Sequence, residues 1–136
     1  SLSSQIMEER DEYYRVLEEC SKGNEITVWL AWFLGCYARA VERTEKSIAN
    51  VLAKAEFWQR RSQTEINERQ RKVINRLLDA GKGGFEGGLT TRKYVSMVTV
   101  SRATAFREIS DLLERGILRQ RDAKGRSVGY DLNWQS

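Results

Sequence analysis

Apolar positions near the start of the chain recur at three-to-four spacing. Ile6, Tyr13, Leu17 and Cys20 share one face, and Glu8, Glu9, Asp11 and Glu12 take the other. This predicts a helix over about Leu2–Ser21, ended by Lys22-Gly23-Asn24-Glu25, where Gly23 or Asn24 suits a left-handed cap. A second, long helix is predicted from Thr27, a suitable N-cap. Leu30, Leu34, Tyr37, Val41, Thr44, Ile48, Val51, Ala55 and Trp58 step by four and three without a slip, an a/d pattern over four heptads. Trp29, Trp32, Phe33 and Cys36 add a second stripe in its first turns, where burial nearly all round is expected. Two readings of the long stripe stay open. It is the core face of a helix in a bundle, or it is a seam for a second copy or a further domain.

Arg60–Glu65 reads as a polar hinge. After it, Asn67 with Gln70 forms a capping-box signature, and Val73, Ile74, Leu77 and Leu78 give an inward face that Gly81 ends. The run KGGFEGG, residues 82–88, lacks the order and the preceding strand of a phosphate-binding loop, and is expected to be a flexible loop anchored by Phe85. Thr90 or Thr91 is set to cap a short helix over Arg92–Met97, followed by a tight turn at Val98-Thr99-Val100. Ser101 then caps a helix over about Arg102–Arg115, which Gly116 stops. Phe106, Ile109, Leu112 and Leu113 are expected to point inward. Beyond Gly116 the period changes to that of strands, Ile117–Arg121 and Ser127–Leu132, joined by a glycine-containing turn.

Helix, short helix, turn, capped helix and hairpin, in that order, predict a winged helix-turn-helix. The expected fold is mainly α: a helical N-terminal segment with one long helix over residues 1–64, then three helices plus a β-hairpin wing over 65–136. Charge supports the division. Residues 65–136 hold 14 Lys/Arg against 9 Asp/Glu, whereas residues 1–64 hold 9 against 10. A basic module of this kind points to duplex DNA as partner. The candidate contacts are Ser101, Arg102, Thr104 and Arg107 on the capped helix, whose N-terminal part would enter the major groove. Arg92 and Lys93 flank it, and Arg119, Arg121, Lys124 and Arg126 form a basic wing. Glu108 and Asp111 fall further back on the same helix.

Composition closes other routes. The chain has no histidine, so a His-containing triad or a Cys/His zinc site cannot be built from it. Cys20 and Cys36 are expected as reduced thiols in a cytoplasmic protein. No apolar run is long enough to span a bilayer, so no membrane association is expected, and neither is a cofactor. The chain begins at Ser1 without a signal-peptide pattern and is expected to be a piece of something longer.

The run RDEYYRVLEECSKGNEITVWLAWFL, Arg10–Leu34, resembles the helices that follow the catalytic loop in Fic-family proteins. Asn67–Gly81 resembles the helix that opens their appended winged-helix domain, and VSRATAFREISDLLERGIL resembles the recognition segment there and in DeoR-like repressors. Fic proteins typically move AMP from ATP to a hydroxyl through a motif of the form H-P-F-x-[DE]-G-N-G-R-x-x-R. That motif is absent, and the regulatory [ST]-x-x-x-E-[GN] is broken by Arg69 after Thr64 and Glu68. The resemblance therefore implies a non-catalytic C-terminal part of a Fic-like adenylyltransferase, with no catalytic or nucleotide-binding residue to carry over. It implies a missing catalytic core as partner, against which Trp29, Trp32 and Phe33 would pack. Tyr37, Ile48 and Val51 complete this interface set, which would otherwise serve a homodimer through the long helix. The alternative function is thus a protein-interaction module that regulates or targets the core.

Overall fold

A computed structural model describes residues 1–23, 26–122 and 128–135. Among them are six helices and one two-stranded antiparallel sheet, so the chain is mainly helical. They divide into two compact units, Ser1–Ala49 and Asn50–Ser136.

The first unit holds α1 (Leu2–Glu8), α2 (Arg10–Lys22) and most of α3 (Thr27–Arg60). The single helix expected over the first twenty-odd residues is broken at Glu9, whose backbone leaves helical geometry. There the Glu9 carboxylate accepts from Gln5 Nε2 at 2.6 Å and from Arg39 of α3 at 2.5 and 2.7 Å, so the break coincides with an anchor on α3. The buried residues are Val16, Cys36, Ala40 and Gln5, a small core. The expected face of α2 is rotated: Val16 is buried, Tyr13 and Cys20 are half-buried, and Leu17 is exposed.

The first turns of α3 are not buried all round. Val28, Leu30 and Leu34 are exposed, because α1 and α2 cover only the side that carries Cys36 and Ala40. The heptad face is open in this unit, where Leu30, Leu34, Tyr37, Val41 and Ile48 are 40–57% exposed; in the second unit Val51 is 65% exposed, and the last of the series, Trp58, packs against that unit's core. In the first unit it is not the core face of a bundle.

The second unit begins before the expected hinge. Phe57 is buried in its core, and Trp58 Nε1 donates to Asn75 Oδ1 at 3.0 Å. Arg61, read from sequence as part of a polar linker, is buried. Its guanidinium lies 3.9 Å over the Phe57 ring and donates to the Asn133 carbonyl at 2.7 Å. Desolvation lowers its pKa, with Arg60 adding to the effect. These contacts tie the end of α3 to the chain after the last strand.

Capping fixes the remaining elements. The capping box of Asn67 and Gln70 closes the start of α4 (Glu68–Ala80), with both reciprocal hydrogen bonds formed at 2.8 and 2.9 Å. Thr90 caps α5 (Thr91–Val98) and Ser101 caps α6 (Arg102–Glu114). The turn between them is set by Thr99, which takes a left-handed backbone with φ 53° and lets its N–H reach the Val95 carbonyl. After α6, Gly116 at φ 69° reverses the chain into β1 (Leu118–Gln120), which pairs with β2 (Tyr130–Leu132) in the register Leu118↔Leu132.

In the glycine-rich segment Phe85 packs against the core, as expected of an anchor, and the segment runs into a short pairing. Leu89 pairs with Tyr130 by two hydrogen bonds of 2.7 and 2.8 Å, which seats residue 89 on the edge of β2. Gly88, at φ 70°, is required there, since a Cβ would come within 2.8 Å of the Tyr130 carbonyl oxygen. Ile74, Leu78, Ile109, Leu112 and Ile117 fill the core under these elements, each contributing about 1.5–3 kcal/mol by burial.

Candidate nucleic-acid interface

The pose of α6 is set by one buried carboxylate. Glu108, expected on the outer face, is only 5% exposed. It accepts from Tyr94 Oη of α5 at 2.6 Å, from Asn67 Nδ2 at 3.1 Å and from the Arg69 guanidinium of α4. Gln70 spans the same junction, donating to the Glu108 carbonyl at 3.2 Å and to Asp111 Oδ2 at 2.8 Å. Burial raises the Glu108 pKa, but the hydrogen bonds from Arg69 and Tyr94 outweigh it and the carboxyl ends below its usual range. Burial, then the bond to Glu108, pushes the Tyr94 hydroxyl far above its ordinary value, so it stays a donor. Three helices therefore meet on one ionised group.

The phase of α6 follows. Ala105, Glu108, Ile109 and Leu112 face inward, Leu113 is half-buried, and Phe106 is 60% exposed. The inward placement of Phe106 is thus a misreading by one position: the side taken up by Glu108 turns the helix so that small Ala105, not Phe106, meets the core. The exposed face now carries Arg102, Ala103, Phe106 and Arg107 in its first turns.

Acidic and basic groups of this face are treated differently. Glu108 is buried, and Asp111 accepts from Arg115 at 2.8 Å, which, with Gln70, lowers its pKa. Among the described residues, Arg102 and Arg107 make no ion pair and stand in solvent. Ser101 Oγ accepts the Thr104 N–H at 3.1 Å, and the two hydroxyls bond each other at 3.0 Å. That bond uses one hydroxyl hydrogen and leaves the other free to donate.

The flanking cations divide likewise. Arg92 and Arg119 are exposed and without an ion pair among the described residues. Arg121 is exposed, 3.4 Å from Asp131, with which it shares charge. Lys93 is turned inward instead. Its Nζ donates to the Glu86 and Gly88 carbonyls and sits 4.7 Å over the Phe85 ring, so it holds the glycine-rich segment and is not a free cation. Lys124 and Arg126 lie outside the described residues.

The interface set belongs elsewhere. Trp29 and Phe33 stack at 5.2 Å, and Trp32 meets Tyr13 at 5.4 Å. Trp32 Nε1 is buried and without a hydrogen-bond partner among the described residues. Tyr37, Ile48 and Val51 are exposed. Sequence reasoning missed Tyr94, Asn67 and Arg69 as the supports of α6. A glutamate one position from the apolar stripe was the only available signal. No protein-family model matches the chain, and no curated protein matches its sequence.

No helix of the described residues is long and apolar enough to cross a membrane.

Proposed function

We propose that the second unit is a winged helix-turn-helix that binds duplex DNA, with the first turns of α6 in the major groove and the β1–β2 hairpin on the adjoining backbone. The observation that carries this reading is the sorting of charge on α6. Glu108 is taken up by internal partners and Asp111 by Gln70 and the neighbouring Arg115, Glu114 is exposed only at the far end of the helix, and Arg102 and Arg107 are left in solvent beside the small Ala103. Free arginines at a helix N-terminus suit guanine edges or phosphates, and the helix dipole adds to the attraction. Arg92, Arg119 and Arg121 are further exposed arginines of the same unit, and such cations strengthen binding to phosphates. The function is binding; the chain is a non-catalytic C-terminal part of a Fic-like protein, as the Arg10–Leu34 resemblance implies, and AMP transfer belongs to a core outside it. Anisotropy of a labelled duplex tests the reading. About six phosphate contacts predict a loss of roughly a thousandfold or more in affinity between 50 and 200 mM salt. Binding that ignores salt contradicts it.

The open heptad face of α3 favours a second role. Six apolar side chains there stand 40–65% exposed at a/d spacing, which suits a helix from a second copy or from the Fic core. Light scattering that shows a dimer, converted to monomer by Ile48→Asp, supports the homodimer. A monomer at high concentration leaves the core as the partner.

A further inference from the structure

Phe106 stands in the middle of the cationic patch of α6. It is the only large apolar side chain that α6 exposes among the described residues. By the i,i+3 and i,i+4 geometry of a helix, it lies one turn after Arg102 and Ala103 and one turn before Ser110, and Arg107 is the next residue on the exposed side. Ala105, Glu108, Ile109 and Leu112 are buried, which sets the phase of the helix and leaves Phe106 outside the core.

A lone exposed apolar residue needs no special reason. Its place here gives one. Arg102 and Arg107 can engage phosphates or base-edge acceptors, but an aromatic ring cannot use those partners. The major groove offers one apolar group, the 5-methyl of a pyrimidine, carried by thymine or by methylated cytosine. Ala103, one turn away, is small enough to let the backbone approach.

Resting on the DNA-binding reading, we propose that Phe106 packs against the 5-methyl group of a pyrimidine base, so that α6 selects a 5-methylpyrimidine next to the contacts made by Arg102 and Arg107. Burying one methyl-sized group is worth roughly a fourfold change in affinity. The contact therefore tunes specificity and leaves most of the affinity to the arginines.

The test uses the whole chain and a pool of duplexes with a random core. Selected duplexes are resynthesised with uracil in place of each thymine in turn, and with 5-methylcytosine in place of each cytosine. At one position, uracil weakens wild-type binding roughly fourfold, or 5-methylcytosine strengthens it as much. The first result names thymine as the source of the methyl group, the second methylated cytosine. Phe106→Ala removes that difference while its melting temperature stays at the wild-type value, and Phe106→Leu keeps part of it. Salt-dependent binding by wild type with the same thymine-to-uracil ratio in Phe106→Ala at every position overturns the assignment and leaves the DNA reading intact. Failure of the wild-type chain to enrich any duplex, together with absence of salt-dependent binding, overturns both.

Discussion

Removing the Tyr94 hydroxyl probes the joint on which α6 is set. Tyr94 is fully buried, and its Oη donates at 2.6 Å to Glu108, whose side chain is 6% exposed. A hydrogen bond to a charged group contributes about 1.5–3 kcal/mol, and burial on both sides keeps water from replacing it. The Tyr94→Phe carboxylate retains Asn67 and Arg69, so the loss stays near one bond, about 2 kcal/mol. Arg69 is 48% exposed and turns to solvent when its partner goes, so its own share is small. For a unit of this size, about 2 kcal/mol lowers the melting temperature by roughly 10 °C. Glu108→Ala costs more, since it strands the buried Tyr94 hydroxyl as well as leaving a void. Because the folded pKa of Glu108 lies below its unfolded value, this stabilisation is fully present above about pH 4.5 and is lost as pH falls through the folded value. Circular-dichroism melts at pH 7 and at pH 3 therefore show a gap between wild type and Glu108→Gln that is wide at pH 7 and shrinks as pH falls. A Tyr94→Phe melt within a degree of wild type at pH 7 refutes the network as the joint of α4, α5 and α6.

Two further changes test the turns. Thr99→Asn raises stability by about 0.5–1 kcal/mol in denaturant titration, since asparagine tolerates the left-handed backbone that a β-branched residue resists. Gly88→Ala lowers it by about 2 kcal/mol or more, because both its φ of 70° and the Tyr130 carbonyl 2.8 Å from the new Cβ oppose the side chain. An unchanged midpoint in either titration counts against the local account.

Caps and periodicity were legible in the sequence because they depend on neighbours. The Asn67–Gln70 box, the Thr90 and Ser101 caps, and the stops at Gly81 and Gly116 stand where the residues placed them. The strands are shorter than expected, three residues each, at the expected places. What failed depends on distant partners. The phase of α6 turns on Tyr94, Asn67 and Arg69, which reach Glu108 from two other helices, so Phe106 looked like core. Arg61 looked like linker because nothing local hints at Asn133, 72 residues on. The heptads of α3 were plain, but a pattern does not say whether anything covers it.

The most direct test of DNA binding compares two double variants with equal loss of charge. Arg102→Ala/Arg107→Ala empties the first turns of α6, and Lys72→Ala/Arg76→Ala removes two exposed cations from the outer face of α4. Anisotropy of a labelled duplex is recorded for both and for wild type across a salt series. The first pair is predicted to bind at least about tenfold more weakly and to lower the salt slope by about 2, while the second stays near wild type. Equal losses for the two pairs, or none for the first, contradict the claim that α6 meets the duplex.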